Sequence, residues 1–335
     1  MKIITPTAIE ELLTARAANP DAALLAGGTD LLAGWHSGGR RPEHLILLGG
    51  VRELDFISVR GNRTIEIGAT ATHSRIASNS IIRRFLPALA EAALSVGSPA
   101  VRNMGTIGGN IVNASPAADL VPPLIVYNAL VRLVSFGAMP TSPAKPVSTS
   151  PSSIPMESVL ARSARKSRGK VRGDAQRIFA GRDVPIDRFY TGYKTTDLRK
   201  DEVLFSVVIP VPSRSSFARY YKLGTRKAQS IAKVSLAGRI EIVDEVISVA
   251  GLAAGSVAPI PLRLRAVEDF LRGKRVTESL VDCAAEELRL SIAPIDDVRS
   301  TSAYRRFVTG SLLRRFLADA CVAGDAPARA VRGSR

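Results

Sequence analysis

VRNMGTIGGNIVNASPAADLVP at residues 101–122, read together with LLAGGTDLL at residues 24–32, decides how this chain is to be understood. Each stretch holds a glycine doublet beside a threonine, Gly27-Gly28-Thr29 in one and Thr106-Ile107-Gly108-Gly109 in the other. Glycines carry no Cβ, so successive backbone N–H groups can converge on an anion, the concave arrangement that holds phosphates. Thr29, Thr106, Asn110 and Ser115 add side-chain hydrogen-bonding groups. One such loop by itself reads most simply as a tight turn. Two of them, in separate parts of the chain, fit a long ligand whose pyrophosphate is clamped between lobes.

Outward from the first loop, residues 1–53 read as a small α/β lobe. Thr7-Ala8-Ile9-Glu10 has a capping-box pattern, and Ile9, Leu12, Leu13 and Ala17 recur at helical spacing, which predicts a helix over 7–18 stopped by Asn19-Pro20-Asp21. Apolar runs at 22–26 and 45–48 end in glycine doublets, as buried strands do. The second lobe spans 54–212. FISVRG and TIEIGATAT alternate around Gly61-Asn62, a hairpin signal. Ile81, Ile82, Phe85, Leu86, Leu89, Ala90, Ala93 and Leu94 mark a helical region broken at Pro87, and 120–134 reads as buried helix and strand. Strand patterning resumes at 183–186 and 203–209.

Past PVPS at 210–213 lies a third unit, 217–320, with strands at 218–223, 233–243 and 246–252 and helices at 266–271, 278–290 and 302–319. The last helix is expected to bury Tyr304, Phe307, Val308, Leu312 and Phe316 and to expose Arg305, Arg306, Arg314 and Arg315. Residues 321–335 read as a frayed tail. Antiparallel sheet plus helices makes the whole chain α+β.

Composition bounds the function. With 335 residues, 46% hydrophobic and 23% charged, the chain is globular and long enough for two or three lobes. No run of about 20 apolar residues exists, so no membrane insertion is expected. The N-terminus lacks the apolar stretch and cleavage site of a secretion signal, and Cys283 and Cys321 are too few and too far apart for a disulfide framework. A reduced cytoplasm is the expected location. The net charge of +16 would suggest nucleic acid, but nine basic residues against two acids fall between 140 and 182, inside a Pro/Ser-rich and then Arg/Lys-rich stretch. Residues 137–182 therefore read as a flexible, solvated insertion dispensable for ligand binding, with docking on an acidic face of a partner as the alternative, and no nucleic-acid partner is assigned. No Walker A loop, H-E-x-x-H or G-x-S-x-G elbow is present, and His36, His44 and His73 have no spacing that suggests a metal. Each reads as an ordinary surface or hydrogen-bonded histidine, and no catalytic residue is assigned.

At residues 24–32 and 101–122 the sequence resembles the FAD-binding (medium) subunit of molybdenum hydroxylases, the family that includes the xanthine dehydrogenase FAD subunit and the carbon monoxide dehydrogenase medium subunit. The resemblance continues through FYTGYKTTDLRKDEVLFSVVIP at 189–210, YYKLGTRKAQSIAKVSLAGR at 220–239 and SAYRRFVTGSLLRRFL at 302–317. It implies a two-lobed FAD domain of the vanillyl-alcohol-oxidase (PCMH) type, followed by a C-terminal domain of a three-stranded antiparallel sheet plus helices. Carried over by residue, Leu24, Leu25, Ala26, Gly27, Gly28, Thr29 and Asp30 would wrap the pyrophosphate and ribityl chain of a non-covalent FAD. Thr106, Gly108, Gly109, Asn110 and Ser115 would face it from the second lobe, and Val96 and Gly97 would lie against the adenosine. Asp119 would accept a hydrogen bond from the cofactor, and Leu198 and Lys222 would approach the flavin.

The resemblance further implies an electron-transfer role. Electrons would come from [2Fe-2S] clusters on a small partner subunit, and molybdopterin would sit on a large one, so that this chain alone leaves the organic substrate untouched. The acceptor would be NAD+ or another oxidant. Two departures stand out: residues 137–182 contain no cysteine for an iron–sulfur cluster, and Gln229 and Ser230 occupy the place of an acidic pair near the flavin. A carbon monoxide or aldehyde dehydrogenase-type medium subunit is the alternative within the family, and a basic nucleic-acid-binding module is the alternative outside it.

Overall fold

The computed structural model describes residues 1–137 and 179–332, apart from 40, 62 and 214. Three sheets and a small hairpin organise them. The first sheet comprises β1 (Lys2–Ile4), β2 (Ala23–Leu25) and β3 (His44–Leu47) in the order β1-β3-β2, all parallel. Its helices are α1 (Ile9–Ala18) and α2 (Leu31–His36). The α1 start is capped one residue later than the sequence pattern suggests. Glu11, not Glu10, accepts hydrogen bonds from the Thr7 amide (2.7 Å) and hydroxyl (3.0 Å), so the helix begins at Ile9.

The second sheet is antiparallel, in the order β4-β5-β10-β6-β7: β4 (Ile57–Arg60), β5 (Thr64–Gly68), β6 (Leu130–Phe136), β7 (Phe179–Pro185) and β10 (Glu202–Pro210). Between β7 and β10 stand a short helix and the β8 (Tyr190–Gly192) and β9 (Thr195–Thr196) hairpin. The expected insertion falls at 138–178, outside the described residues. Residues 179–182 do not belong to it, because β7 begins at Phe179 and Arg182 donates to Glu202 (2.6 Å) and Asp197 (2.5 Å).

Period-two alternation gives this sheet two different faces. Ile65, Ile67, Val131, Leu133 and Val207 pack beneath α3 (His73–Ser78), α4 (Ser80–Phe85), α5 (Pro87–Ser95) and, past α6 (Pro99–Met104), which buries no side chain, α7 (Ile107–Val112) and α8 (Val121–Val126), in the largest core. The opposite face sends Val134, Val203 and Phe205 against Ile9, Leu12 and Leu13 of α1. Helix α1 thus joins the first lobe to the second, and this shared core sets the two glycine loops side by side.

After α9 (Ile186–Phe189), already counted between β7 and β8, the third unit contains α10 (Arg265–Leu271), α11 (Glu278–Ser291) and α12 (Ser302–Arg332). Its sheet runs β11 (Phe217–Leu223), β12 (Val234–Val243), β13 (Val246–Gly255) and β14 (Leu262–Arg263), so a two-residue fourth strand joins the three expected. Asp244 and Glu245 both take positive φ (50° and 65°) in the tight β12–β13 turn. One sheet face packs on α10, α11 and α12, and the other sends Ala218, Tyr220, Ala237 and Ala253 into the central core of the second lobe.

Two expectations for the last helix are corrected. It continues through Arg332 rather than fraying from 321. Its buried stripe is also rotated: Arg305 is 4% exposed, whereas Tyr304 and Phe307 are 42% and 61% exposed. The Arg305 guanidinium occupies a core position because it donates to the Ser256 carbonyl (2.9 Å) and to Asp297 (2.6 Å), which satisfies its charge.

Candidate functional site

The two glycine loops touch backbone to backbone. A Cβ built on Gly27 would lie 1.9 Å from the Met104 carbonyl oxygen, so only glycine permits this approach. Gly28 then turns the chain with φ +69°, and Asp30 opens α2. Among the described residues, none of the amides of residues 26–30 donates a hydrogen bond. Leu24 and Leu25, half-buried on β2, hold the loop at the end of the parallel sheet, and Thr29 and Asp30 are exposed. Free amides at the end of a parallel strand, leading into a helix, are available to an anion.

The second loop is built differently. Ile107 and Gly108 donate to Ala71 (3.0 Å) and Ala69 (2.9 Å), Gly109 donates to the Thr106 hydroxyl (3.1 Å), and Asn110 donates to the Thr106 carbonyl (3.0 Å). The convergence of amides expected from its glycine doublet therefore does not occur here. Gly108 is a packing glycine, buried where a Cβ would meet the Ala69 oxygen at 2.7 Å, whereas Gly109 is exposed. What this loop leaves unsatisfied is Asn110 Oδ1, buried and without a partner. An orphaned amide oxygen on one loop and free N–H groups on the other suit a ligand with both hydroxyl and phosphate groups, as FAD has.

Val96 and Gly97 form a bend with φ +42° at Gly97, and both their carbonyls accept from Arg102 Nη1 (2.9 and 3.2 Å). Ser115 Oγ accepts from the Ala117 amide (3.2 Å) in the turn that leads to Asp119. Asp119 is buried and meets the third unit: Oδ1 accepts from the Tyr220 hydroxyl and Oδ2 from Lys222 Nζ, both at 2.6 Å. Lys222 also donates to the Ser95 carbonyl (3.1 Å). Burial pushes the Asp119 carboxyl above its usual range, while Lys222 and the Tyr220 hydroxyl pull it back. Leu198 stands apart from this cluster, half-buried against the central core after β9.

Sequence reasoning missed three residues. Arg102 clamps the bend at 96–97. Tyr220 follows from strand alternation, since it shares a face with Lys222. His73, taken for an ordinary histidine, is buried with its ring against Gly105 and its Nδ1 unpartnered. Burial, and then the nearby Arg102, lower its pKa to about 4, so it is neutral at neutral pH. In the loop after β11, Gln229 has φ 53°, and its carbonyl accepts from Arg226 Nη2 (2.7 Å), while the Ser230 hydroxyl donates to the Arg226 carbonyl (2.9 Å). Among the described residues no group of three or more His, Cys, Asp or Glu is arranged for a metal, and no helix is long and apolar enough to cross a membrane.

Known proteins share the domains and the fold of this chain. Residues 1–152 match the family described as the FAD binding domain in molybdopterin dehydrogenase, and residues 219–320 match the CO dehydrogenase flavoprotein C-terminal domain. The carbon monoxide dehydrogenase medium chain of Hydrogenophaga pseudoflava is 30% identical over 297 residues, covering 89% of this chain and 88% of its own. The chain belongs to the FAD-binding medium subunits of molybdenum hydroxylases. It is thus an FAD-binding oxidoreductase subunit. The xanthine dehydrogenase FAD-binding subunit of Escherichia coli O157:H7 is 26% identical, covering 91% of this chain and 90% of its own. In three dimensions a solved carbon monoxide dehydrogenase from Hydrogenophaga pseudoflava superposes with a TM-score of 0.80 at 28% identity, over 96% of this chain and 97% of that one.

Proposed function

We propose that this chain is the electron-transfer subunit of a molybdopterin-dependent, xanthine dehydrogenase-like hydroxylase, acting with a molybdopterin-binding large subunit and a [2Fe-2S] small subunit. The observation that carries the reading is the run of unpartnered amides at 26–30, seated by Gly27 on the segment that leads into Asn110. Bound FAD supplies the redox chemistry, taking electrons singly from iron–sulfur centres and giving them up in pairs.

This chain's own residues bind and tune. Leu24, Leu25 and the amides of 26–30 hold the pyrophosphate and ribityl chain. Thr106, Gly109, Asn110 and Ser115 line the second wall, with Gly108 acting through packing. Val96 and Gly97, braced by Arg102, flank the adenosine. Asp119 and Lys222 meet the flavin end, where the Lys222 ammonium supplies positive charge as electron density accumulates, and Leu198, which stands apart from that pair, approaches the flavin separately. The loop around Arg226 and Lys227 carries Gln229 and Ser230 in place of an acidic pair, and the acceptor is NAD+ or another oxidant.

Purification of the full chain tests this directly. A yellow protein that releases all its flavin on acid precipitation, and that oxidises no purine without partners, is the expected result. Flavin retained in the pellet would contradict non-covalent binding. A colourless protein with steeply salt-dependent nucleic-acid affinity would favour the basic-module alternative.

A further inference from the structure

We propose that Tyr220 is a positioning residue for Lys222, acting through Asp119, and that these three side chains together set how readily the bound flavin is reduced. The proposal rests on the FAD reading above. It starts from strand geometry: Tyr220 and Lys222 are two apart on β11 and therefore share the face that packs on the second lobe. Each takes one oxygen of the same carboxylate, at 2.6 Å. The Asp119 and Lys222 side chains are each only 10% exposed.

A carboxylate held at one oxygen by a phenol has a fixed plane, so its other oxygen holds the ammonium at one place between Asp119 and the Ser95 carbonyl. Without the hydroxyl, the carboxylate is free to rotate and its charge is no longer shared with the phenol, so the ammonium loses its fixed place and more of its field is cancelled by Asp119. The strand itself does not depend on that hydroxyl. Glu91 of α5 accepts from the Tyr220 amide (2.9 Å) and from Arg219 Nη1 (2.5 Å), which fixes the register of β11 against the second lobe. Tyr220→Phe therefore removes one hydrogen bond and leaves the ring and the strand in place.

The test uses the full FAD-loaded chain, with the ratio of reduced to oxidised flavin read against a reference redox dye at fixed poise. Lys222→Met is expected to lower that ratio roughly tenfold or more, because it removes an adjacent charge. Tyr220→Phe is expected to lower it about threefold, the effect of one hydrogen bond. In a Lys222→Met background, Tyr220→Phe should then change nothing. An unchanged ratio in Tyr220→Phe alone, or the same drop in both backgrounds, overturns the proposal, since an effect independent of Lys222 is merely structural. Loss of FAD from Tyr220→Phe with unchanged thermal unfolding also overturns it, by assigning the tyrosine to cofactor binding. A wild-type chain that takes up no FAD overturns the FAD reading itself, and the proposal with it.

Discussion

The loop at 26–30 and the segment at 105–110 carry the same kind of sequence, a threonine beside a glycine doublet, yet they use their backbones in opposite ways. In the first, glycine permits a close approach at Gly27 and a left-handed turn at Gly28, and the amides are left without partners. In the second, Thr106 caps α7, and the amides of residues 107–110 are already taken. A glycine doublet therefore marks a place where backbone comes close to something. It does not say whether that something is a ligand or the protein's own strand.

The harshest way to break the contrast is Gly27→Val. Its Cβ would collide with the Met104 carbonyl, so the loops must separate, and both FAD retention and thermal stability should fall, the latter by about 1–3 kcal/mol or more. Gly109→Val attacks the other loop on its exposed side, where only the Thr106 hydroxyl lies near, at 3.1 Å. It should lose flavin while costing no more than about 1 kcal/mol of stability, the worth of the Thr106 cap that its Cβ presses on. Equal loss of stability in the two variants would remove the distinction drawn between the loops.

A smaller effect comes from His73, which backs Gly105. Its pKa is about 4 in the fold against 6.5 in an unfolded chain, so the unfolded state binds the proton first as pH falls. The stability tied to neutral His73 is complete above pH 6.5 and is lost as pH falls toward 4, an upper bound of about 3 kcal/mol. Denaturant titrations across that window should slope in the parent and be flatter in His73→Leu. Smallest of all, Thr106→Val should cost about 1 kcal/mol by removing the cap on the Gly109 amide.

Much of this fold was legible because its signals are local. The break at Pro87, the strand alternation at 203–209 and the apolar periodicity of α1 each depend on neighbours in sequence. The misreadings were tertiary. Helical spacing made Tyr304 and Phe307 look buried, but a guanidinium with two good acceptors took the core position at Arg305. His73 carried no sequence signal, because its burial comes from Gly105, a residue distant along the chain. At the candidate site both loops were visible as motifs. That one loop's amides are spent on Ala69, Ala71 and Thr106 could be seen only once those partners were placed. Tyr220 was within reach, since alternation from Lys222 puts it on the same face, but its partner Asp119 lies in another lobe.

Amide hydrogen exchange, measured residue by residue on the full chain with and without FAD, tests the central claim most directly. Unpartnered amides exchange freely, and hydrogen-bonded ones in a packed helix start do not. The account predicts that residues 26–30 exchange rapidly without FAD and slow markedly when it is added, while residues 107–110 are protected in both states. Amides at 26–30 that are protected without the cofactor, or indifferent to it, would contradict the account, as would a cofactor response confined to 107–110.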